Sequence, residues 1–484
     1  MSLTVEPAGT AGVDPAPAAP ATRRPRIGLL GIMQDLYDDM IPGITEHQRG
    51  YADAVADALR PAMDVAVGDP VKSRDDAERV MRGFERDDLD GVLVVMLTYG
   101  PAMRVARLFT ENRLPVLLAN IQPQPEVTAE WTMAEMTYNQ GIHGAQDTAN
   151  ALVRARRPFA VLTEDWQSPR FAERVGDWAH AAAAVTAWRS LRIAVFGYAM
   201  NQMGDIRVDE NALVRSLGPQ IDFLAPGDLF RRTQGVQAAA VTDLLAWEDE
   251  HFAVDPALSD EERTDHARMQ LAIESILCDG GYGAYSTHFD AIGEDGRFAR
   301  LPLAAASSLM AKGYGYGAEG DALAAAMVYA GHRMVGDAHF TEMYAMDFPS
   351  DSILMSHMGE GNYAVARDDE PVRLVHRELG IGRLASPPTF VFRYRPGPAT
   401  LASLVSLEGE RFRLVVAEGE NLDLPLLPAL EMPYGQFRPS SGLRACMDAW
   451  LANGGTHHMV LNLGHHADRW RTFAQLAGID CVLV

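Results

Sequence analysis

Two glutamates and two histidines in the last third of the chain are of the residue types that bind divalent metal ions. Each lies in a distinctive segment, GYGYGAEGD, HFTEMYAMD, LMSHMGEGN or GGTHHMVLN, and the four residues are Glu319, Glu342, His357 and His458. Two carboxylates and two imidazoles form a mixed oxygen and nitrogen shell, which suits Mn²⁺, Co²⁺ or Fe²⁺ better than Ca²⁺. If the four side chains converge, the sequence predicts a metal enzyme whose substrate completes the coordination.

Each of the four residues also has a structural explanation when it is taken alone. Glu319 precedes a helical segment, where the positive end of the helix favours a carboxylate. His357 and His458 lie in strand-like segments, in which a histidine is commonly hydrogen-bonded within the core. Side chains alternate along a strand, so we expect His457 and His458 to point to opposite faces and at most one to serve the site. Glu342 is harder to explain, because its apolar neighbours predict burial and a buried carboxylate needs a partner.

Three glycines next to Glu319 have the GxGxxG spacing of dinucleotide-binding loops, so nucleotide binding is an alternative for this segment. They are Gly315, Gly317 and Gly320. The motif should follow a buried strand and open a helix, but the preceding SSLMAKGY resembles the end of a helix. Glu319 and Asp321 would also place negative charge beside the pyrophosphate. We therefore favour the metal site over the nucleotide site.

The composition is that of an ordinary globular protein, with 484 residues, 48% of them hydrophobic and 22% charged. A net charge of −23 argues against a nucleic-acid or anionic-membrane partner. Three widely spaced cysteines, Cys278, Cys446 and Cys481, indicate a reducing compartment. Residues 1–25 are rich in Ala and Pro without the apolar core of a signal peptide, and no apolar run approaches the roughly 20 residues of a membrane span. We therefore expect a cytoplasmic protein with a disordered N-terminal arm.

From Arg26 onwards, short apolar segments alternate with amphipathic stretches of helix length. The segments at 26–32, 64–68, 91–97, 115–120 and 159–164 are continuous and rich in aliphatic residues, as in buried parallel strands. A second such unit begins at LRIAVFGYAM (191–200), with helices predicted at about 233–250 and 259–278. From about residue 336, six strands from DSILMSHM to HHMVLNL are separated by turn signals such as RPGPA, which predicts an antiparallel, barrel-like domain.

The predicted fold class is α/β with three domains, in which two doubly wound α/β domains precede a mostly antiparallel, β-barrel-like C-terminal domain. The predicted bounds are 1–25 for the disordered arm, 26–190 for the N-terminal α/β domain, 191–335 for the central α/β domain and 336–484 for the β-rich domain. The last of these carries most of the candidate metal ligands.

Several segments, in the same order and at similar intervals, resemble the L-arabinose isomerase family. The likeness includes the four metal-ligand segments and extends to QDLY at 34–37, NQGIHG at 139–144, FGYAM at 196–200 and GGYGAYSTHF at 280–289. It covers about residues 26–484. Several short segments that agree in order are more specific than any one of them.

This resemblance implies a metal-dependent ketol isomerase, usually activated by Mn²⁺, that assembles as a homo-oligomer (tetramer or hexamer). The family's four metal ligands fall on Glu319, Glu342, His357 and His458, and the two glutamates are expected to act as the catalytic pair as well. Its substrate-contacting positions fall on Gln34, Leu36, Tyr37, Tyr99, Gln140, His143, Met200, Tyr285 and Met358. The family also implies that the N-terminal segment around Gln34 serves a neighbouring subunit's active site.

Isomerisation of an aldose to a ketose passes a proton between C2 and C1 through an enediol, which needs a base, an acid and stabilisation of a developing oxyanion. The sugar-facing wall departs from the family: LTYG (97–100) stands where the family has H-T-F, Tyr285 replaces a phenylalanine, and His288 lies in a Thr-rich stretch. These added polar groups predict a sugar other than L-arabinose, such as a hexose or a modified sugar. The alternatives are a sugar epimerase or lyase on the same metal framework, and a non-catalytic sugar-binding or regulatory protein.

Overall fold

The structure is a computed structural model that describes residues 23–484, and these residues form two compact units. The N-terminal unit contains Arg23–Ala187 together with Asp468–Asp480, and the larger unit contains Trp188–Ala467 together with Cys481–Val484. The predicted disordered arm lies outside the described residues, apart from its last three positions. Among residues 23–484, no helix is long and apolar enough to cross a membrane.

A parallel five-stranded sheet forms the core of the N-terminal unit, in the strand order β2-β1-β3-β4-β5. Its strands are β1 (Arg26–Ile32), β2 (Asp64–Val67), β3 (Gly91–Met96), β4 (Val116–Asn120) and β5 (Ala160–Thr163). The helices of this part of the chain are α1 (Leu36–Met40), α2 (Ile44–Leu59), α3 (Arg74–Arg86), α4 (Ala106–Glu111), α5 (Met133–Asn139), α6 (Gly141–Arg154) and α7 (Pro169–Arg189), with a 3₁₀ turn at Ala102–Arg104.

Local sequence explains these elements well. Every residue of β3 is buried, as expected of a central parallel strand with helices on both faces. Helix α3 begins with a capping box between Ser73 and Asp76, and its buried residues Ala77, Val80, Met81 and Phe84 follow helical spacing. The N-terminal unit therefore has the doubly wound architecture that the sequence predicts.

The larger unit contains a second parallel sheet, in the order β10-β9-β6-β7. Its strands are β6 (Arg192–Phe196), β7 (Gln220–Leu224), β9 (Ala284–Thr287) and β10 (Gly315–Ala318). The short strand β8 (Ala253–Val254) does not belong to this sheet. The helices are α8 (Glu210–Ser216), α9 (Pro226–Gln234), α10 (Ala238–His251), α11 (Asp260–Gly280), α12 (Phe289–Gly293), α13 (Leu303–Ala311) and α14 (Ala322–Met334).

A closed antiparallel barrel of six strands completes the larger unit, in the order β15-β18-β11-β12-β17-β16, with β15 also pairing with β16. The remaining strands are β11 (Ala338–Asp347), β12 (Ser352–Ser356), β13 (Arg373–His376), β14 (Pro388–Val391), β15 (Gly397–Ser406), β16 (Phe412–Asn421), β17 (Tyr434–Pro439), β18 (His458–Leu463) and β19 (Asp480–Leu483). The last helices are α15 (Leu443–Ala452) and α16 (Ala467–Ala477), and 3₁₀ turns lie at Tyr363–Val365 and Ile381–Arg383.

The predicted fold class is confirmed, with two parallel α/β sheets followed by an antiparallel barrel. Some details differ from the prediction. The helix expected at about 233–250 begins later, at Ala238, because residues up to Gln234 belong to α9, which ends with Gly235 as its C-cap. Strands β11 and β17 were not predicted: β11 has a mostly exposed second half, and β17 contains a glycine and a proline, so neither has the alternating apolar pattern of a strand.

The burial of side chains in the barrel core predicts which substitutions lower the stability of the protein. Phe437 on β17 is fully buried in the barrel core, whereas half of Phe348 is exposed to solvent. Phe437→Ala should cost about 3–5 kcal/mol, because it removes a large buried side chain and leaves a cavity. Phe348→Ala should cost much less. Differential scanning calorimetry of the two variants checks this, and equal shifts of the unfolding midpoint would contradict the assigned core.

Candidate metal centre

Antiparallel pairing brings three of the four candidate ligands together. Glu342 on β11 is directly opposite His458 on β18 and opposite Ser356 on β12. His357 is the residue that follows Ser356, at the end of β12. Because side chains of directly opposed residues lie on the same face of a sheet, this register places the His458 imidazole beside Glu342. His357 lies just beyond the end of β12, where the alternation of the strand no longer applies.

Glu319 reaches the same place from the parallel sheet of the larger unit. It follows β10 in a left-handed conformation, with φ +62°, which is strained for a residue with a side chain. Its backbone N–H donates to the Thr287 carbonyl over 2.8 Å, and its own carbonyl accepts from the Met200 N–H over 2.8 Å. The next residue, Gly320, also has a positive φ, and a Cβ there would lie 2.3 Å from the Tyr198 carbonyl oxygen. The surrounding backbone therefore imposes the strained turn that aims Glu319.

The four side chains converge on a single small volume. The Nε2 atom of His458 lies 3.2 Å from Oε1 of Glu342 and 3.7 Å from Oε2 of Glu319. The Nε2 atom of His357 lies 3.9 Å from the same Glu342 oxygen. Glu342, His357 and His458 each offer a ligand atom within 4.8 Å of the others, and Glu319 joins His457 and His458 in a second group of this kind.

A buried carboxylate holds the far side of each ligand histidine. Nδ1 of His458 lies 2.9 Å from Oδ2 of Asp321, and Nδ1 of His357 lies 2.6 Å from Oε2 of Glu360. An acceptor at Nδ1 keeps a hydrogen on that nitrogen, so Nε2 is the ring nitrogen that faces the glutamates. Carboxylate–histidine pairs of this kind orient metal-ligating imidazoles and raise their basicity.

An aromatic ring separates the two imidazoles and fixes their spacing. The Phe340 ring lies edge-on to both, with centroid distances of 4.7 Å to His357 and 4.8 Å to His458. Phe340 precedes Glu342 by two residues on β11, so it points to the same face of the strand. Behind it, the Tyr316 hydroxyl donates to Glu360 over 3.1 Å. The side chains that position the centre are therefore themselves packed or hydrogen-bonded.

The shared charges shift the pKa values of this group strongly. Burial alone would raise the pKa of Glu342, but the neighbouring His458, His357 and His457 lower it to about 2. Burial would lower the pKa of His458, but the carboxylates of Asp321 and Glu342 raise it to about 9. The imidazoles therefore favour the ionised form of Glu342, and the carboxylates favour a positive charge on His458.

His457 contradicts the expectation that only one histidine of the HH pair can serve the site. Its Nε2 atom lies 3.7 Å from Glu342 Oε1 and 4.0 Å from Glu319 Oε2, and its ring centroid is 4.0 Å from that of His458. The prediction was wrong because β18 begins at His458, so the alternation of a strand does not extend to His457. A third imidazole therefore faces the two glutamates.

The donor set fits a divalent cation. Among the described residues, Nε2 of His458 and Oε2 of Glu319 are buried and have no hydrogen-bond partner. Such atoms are rare in folded proteins, and each one calls for an explanation. A cation bound between them would satisfy both, and two carboxylates with two imidazoles suit Mn²⁺, Co²⁺ or Fe²⁺.

The glycines of the GxGxxG segment have a packing role. Gly315 and Gly317 lie on β10, where a Cβ would come within 2.1 Å of the Ala325 carbonyl and 2.3 Å of the Asp321 carbonyl. They allow α14 to lie directly against the strand. Asp321 caps this helix and holds His458, so the acidic side chain that disfavours a pyrophosphate has a structural function here.

The predicted sugar contacts of the larger unit lie in different surroundings. Met358 lines a pocket together with Glu319 and His357, and the Met200 backbone N–H donates to the Glu319 carbonyl. Tyr285 lies on β9 and is fully buried, with its ring 5.1 Å from Tyr316. The structure thus brings Met200 and Met358 close to the candidate metal centre, whereas the Tyr285 side chain is part of the buried core.

The other predicted sugar contacts all lie in the N-terminal unit, just beyond the carboxyl ends of its parallel strands. Gln34, Leu36 and Tyr37 follow β1, and the Gln34 N–H donates to Thr98 Oγ1 over 3.1 Å. Tyr99 follows β3, and its ring lies 6.4 Å from that of His143 near the start of α6, which Gln140 precedes. Ligands of open α/β sheets bind at this edge. Their role as sugar contacts stays a prediction.

Sequence reasoning missed four residues of this site: Asp205, Asp321, Glu360 and His457. Two of them follow a recognised ligand at short spacing, Asp321 at two residues after Glu319 and Glu360 at three residues after His357. An acidic residue so close to a metal ligand is a usable signal for a supporting carboxylate. Asp205 has no such signal, since it is distant in sequence from every ligand.

Comparisons with known proteins cover nearly the whole described chain. Residues 25–190 match the family model for the L-arabinose isomerase N-terminal domain, 192–337 the central domain and 337–480 the C-terminal domain. The chain is 31% identical over 407 residues to an L-arabinose isomerase of Aeromonas hydrophila, which covers 81% of this chain and 80% of the relative. It is 30% identical over 426 residues to one of Klebsiella pneumoniae, which covers 85% and 84% respectively.

Asp321 provides a test of the metal centre. Its Oδ1 caps α14 by accepting from the Ala324 N–H, and its Oδ2 accepts from His458. In Asp321→Asn the amide oxygen can keep the cap, but its NH₂ then faces Nδ1 and moves the ring hydrogen to Nε2. We expect the Kd for Mn²⁺, measured by electron paramagnetic resonance of the free ion, to rise roughly 10- to 100-fold.

Asp209→Asn is the matched control, because Asp209 caps α8 in the same way but has no histidine partner. Asparagine is as good a helix cap as aspartate, so a lost cap does not account for a difference between the two variants. An unchanged Mn²⁺ affinity in Asp321→Asn would remove His458 from the ligand set.

Proposed function

Because the chain belongs to the L-arabinose isomerase family and is an aldose–ketose isomerase, we propose that it uses a divalent metal ion, Mn²⁺ in the first place, and an enediol pathway. The observation that carries this proposal is the convergence of Glu319, Glu342, His357 and His458, with buried Nε2 and Oε2 atoms that lack a partner within the described chain. Both ligand histidines are oriented by carboxylates, as in metal sites of known proteins.

Glu319 and Glu342 carry carboxylates, which can accept and donate the protons that this reaction moves. A divalent ion held by the four residues would supply Lewis-acid stabilisation of the negative charge that develops on the two sugar oxygens. Glu342 is ionised at neutral pH, because its neighbouring imidazoles lower its pKa. In the proposed reaction one carboxylate carries the proton from C2 to C1, and the other carries the hydroxyl proton from O2 to O1, so that atoms and charges balance.

The sugar is proposed to be a hexose or a modified sugar. Tyr285 and His288, the polar substitutions noted in the sequence, are both buried, so the substrate proposal does not depend on them. The pocket beside Glu319 and His357 is instead lined chiefly by apolar side chains, among them Phe289, Ile292, Leu301, Leu303 and Leu379. Such a wall favours a substrate with an apolar substituent beyond the chelated carbons, of which a 6-deoxyaldohexose is the simplest example.

A homo-oligomer, either a tetramer or a hexamer, is proposed as the active form, with the N-terminal segment near a neighbouring active site. The segment after β1 supports this, because Leu36 and Met40 are more than half exposed in the single chain. Exposed apolar side chains next to a predicted substrate-contacting residue are typical of an interface. Light scattering coupled to size-exclusion chromatography measures the mass directly.

We further propose a cytoplasmic location and, from the net charge of −23, no nucleic-acid or membrane partner.

The proposed reaction is tested by isotope exchange. The Mn²⁺-loaded protein is incubated in deuterated water with pentoses, hexoses and 6-deoxyhexoses, and NMR follows interconversion and deuterium uptake at C1 or C2. We expect turnover of at least one aldose–ketose pair, with the highest kcat/KM for a sugar other than L-arabinose. Absence of exchange with every sugar, with and without Mn²⁺, would contradict the proposed function.

Glu342→Gln tests the role of the glutamate itself. The amide cannot accept the proton, so kcat should fall by about a thousandfold, within the range of general-base contributions. Glu250→Gln is the control, because it makes the same chemical change at an exposed position on α10, away from the site. Activity within a few-fold of wild type in Glu342→Gln would remove this residue from the chemistry.

A further inference from the structure

The three imidazoles of the centre are supported in the same way but differ in exposure. Each has a carboxylate at Nδ1: Asp321 for His458, Glu360 for His357 and Asp205 for His457, the last at 2.6 Å. The side chains of His458 and His357 are 0% and 4% exposed, whereas that of His457 is 36% exposed. His457 therefore lies on the side of the centre that is open to solvent, where a substrate can approach.

Asp205 holds His457 by two hydrogen bonds to one carboxylate oxygen. Its Oδ2 accepts from the backbone N–H of His457 over 3.0 Å and from Nδ1 over 2.6 Å. The loop that carries Asp205 is itself fixed to the centre, because Arg207 donates to the Met200 carbonyl and the Met200 N–H donates to the Glu319 carbonyl. One loop thus positions both Glu319 and His457.

The free nitrogen of His457 faces the reaction centre without a hydrogen bond from the protein. Its Nε2 lies 3.7 Å from Glu342 and 4.0 Å from Glu319, which is too long for a hydrogen bond. Four other donors already form the candidate ligand set, and a sugar that chelates through two oxygens needs the remaining coordination positions. A nitrogen beside these positions, on the open side, is placed to bind a hydroxyl group of the sugar.

We propose that Asp205 is a positioning residue that holds His457 so that its Nε2 hydrogen-bonds a sugar hydroxyl next to the two chelated oxygens. The proposal rests on the proposed function and extends it to a polyol-binding contact outside the metal ligands. It assigns Asp205 an effect on sugar affinity rather than on metal affinity, and this effect is transmitted entirely through His457.

Two alditols, xylitol and galactitol, serve as probes, because they carry the hydroxyl groups of sugars but have no carbonyl to isomerise. Calorimetry at saturating Mn²⁺ gives their Kd, and electron paramagnetic resonance gives the Kd for Mn²⁺. In Asp205→Ala we expect the alditol Kd and the sugar KM to rise about fivefold to tenfold, the effect of one lost hydrogen bond. The kcat and the Kd for Mn²⁺ should stay within about twofold of wild type.

Two further variants separate positioning from a general structural effect. Asp205→Asn keeps an oxygen that can accept both hydrogen bonds, so it should restore most of the alditol affinity. His457→Gln should lose as much affinity as Asp205→Ala, and the double variant should lose no more than either, because coupled residues are not additive. Asp228→Ala and His251→Gln, at exposed positions on α9 and α10, are the matched controls.

The outcomes distinguish this proposal from the proposed function. A wild type that binds neither alditol and turns over no sugar overturns both. A wild type that turns over sugar, with unchanged alditol Kd in Asp205→Ala, overturns only the role of Asp205. A tenfold weaker Mn²⁺ affinity with unchanged alditol affinity at saturating metal would make His457 a further metal ligand instead. If Asp205→Ala fails to fold, the comparison of His457→Gln with wild type decides the question.

Discussion

The pairing of carboxylates with imidazoles is the interaction on which this centre depends. Two partly buried glutamates next to three histidines would be costly if any of these groups lacked a partner. Here Asp321, Glu360 and Asp205 each bind the Nδ1 side of one histidine, and the Nε2 sides all turn toward Glu319 and Glu342. The candidate ligand atoms of the two glutamates and the two buried histidines are therefore directed at one another.

Strand register is what makes this pairing specific. Glu342 is opposite His458 on one side and Ser356 on the other, and a slip of β11 by one residue would turn Glu342 to the opposite face of the barrel wall. The register is fixed by buried side chains such as Phe340 and Met459, which fill the space on either face of the sheet. Glu319 comes from the strained turn after a strand of the parallel sheet. The antiparallel barrel and the parallel sheet therefore both contribute residues to one site.

The fold class could be predicted from the sequence, because buried aliphatic runs are local signals. Short motifs in a fixed order singled out the four candidate ligands, whose side chains the structure places close together. The sequence did not reveal β11 as a strand, although β11 carries Glu342, since only its first half is buried. The expectation that His457 points away from the site was wrong, because pairing with β11 sets the first residue of β18. This pairing is a long-range interaction that cannot be read from the local sequence. Asp205 was not predicted for the same reason, as its contact with His457 joins residues far apart in the chain.

One feature of chain order affects how the protein can fold during synthesis. Residues 468–480, after the barrel, belong to the N-terminal unit, where Arg469 pairs with Asp177 at 2.7 Å and Gln475 donates to the Phe159 carbonyl. Trp470 and Phe473 from this segment are fully buried. The N-terminal unit therefore remains incomplete on the ribosome until the entire barrel has been translated, and the surface that this segment covers stays exposed in that interval.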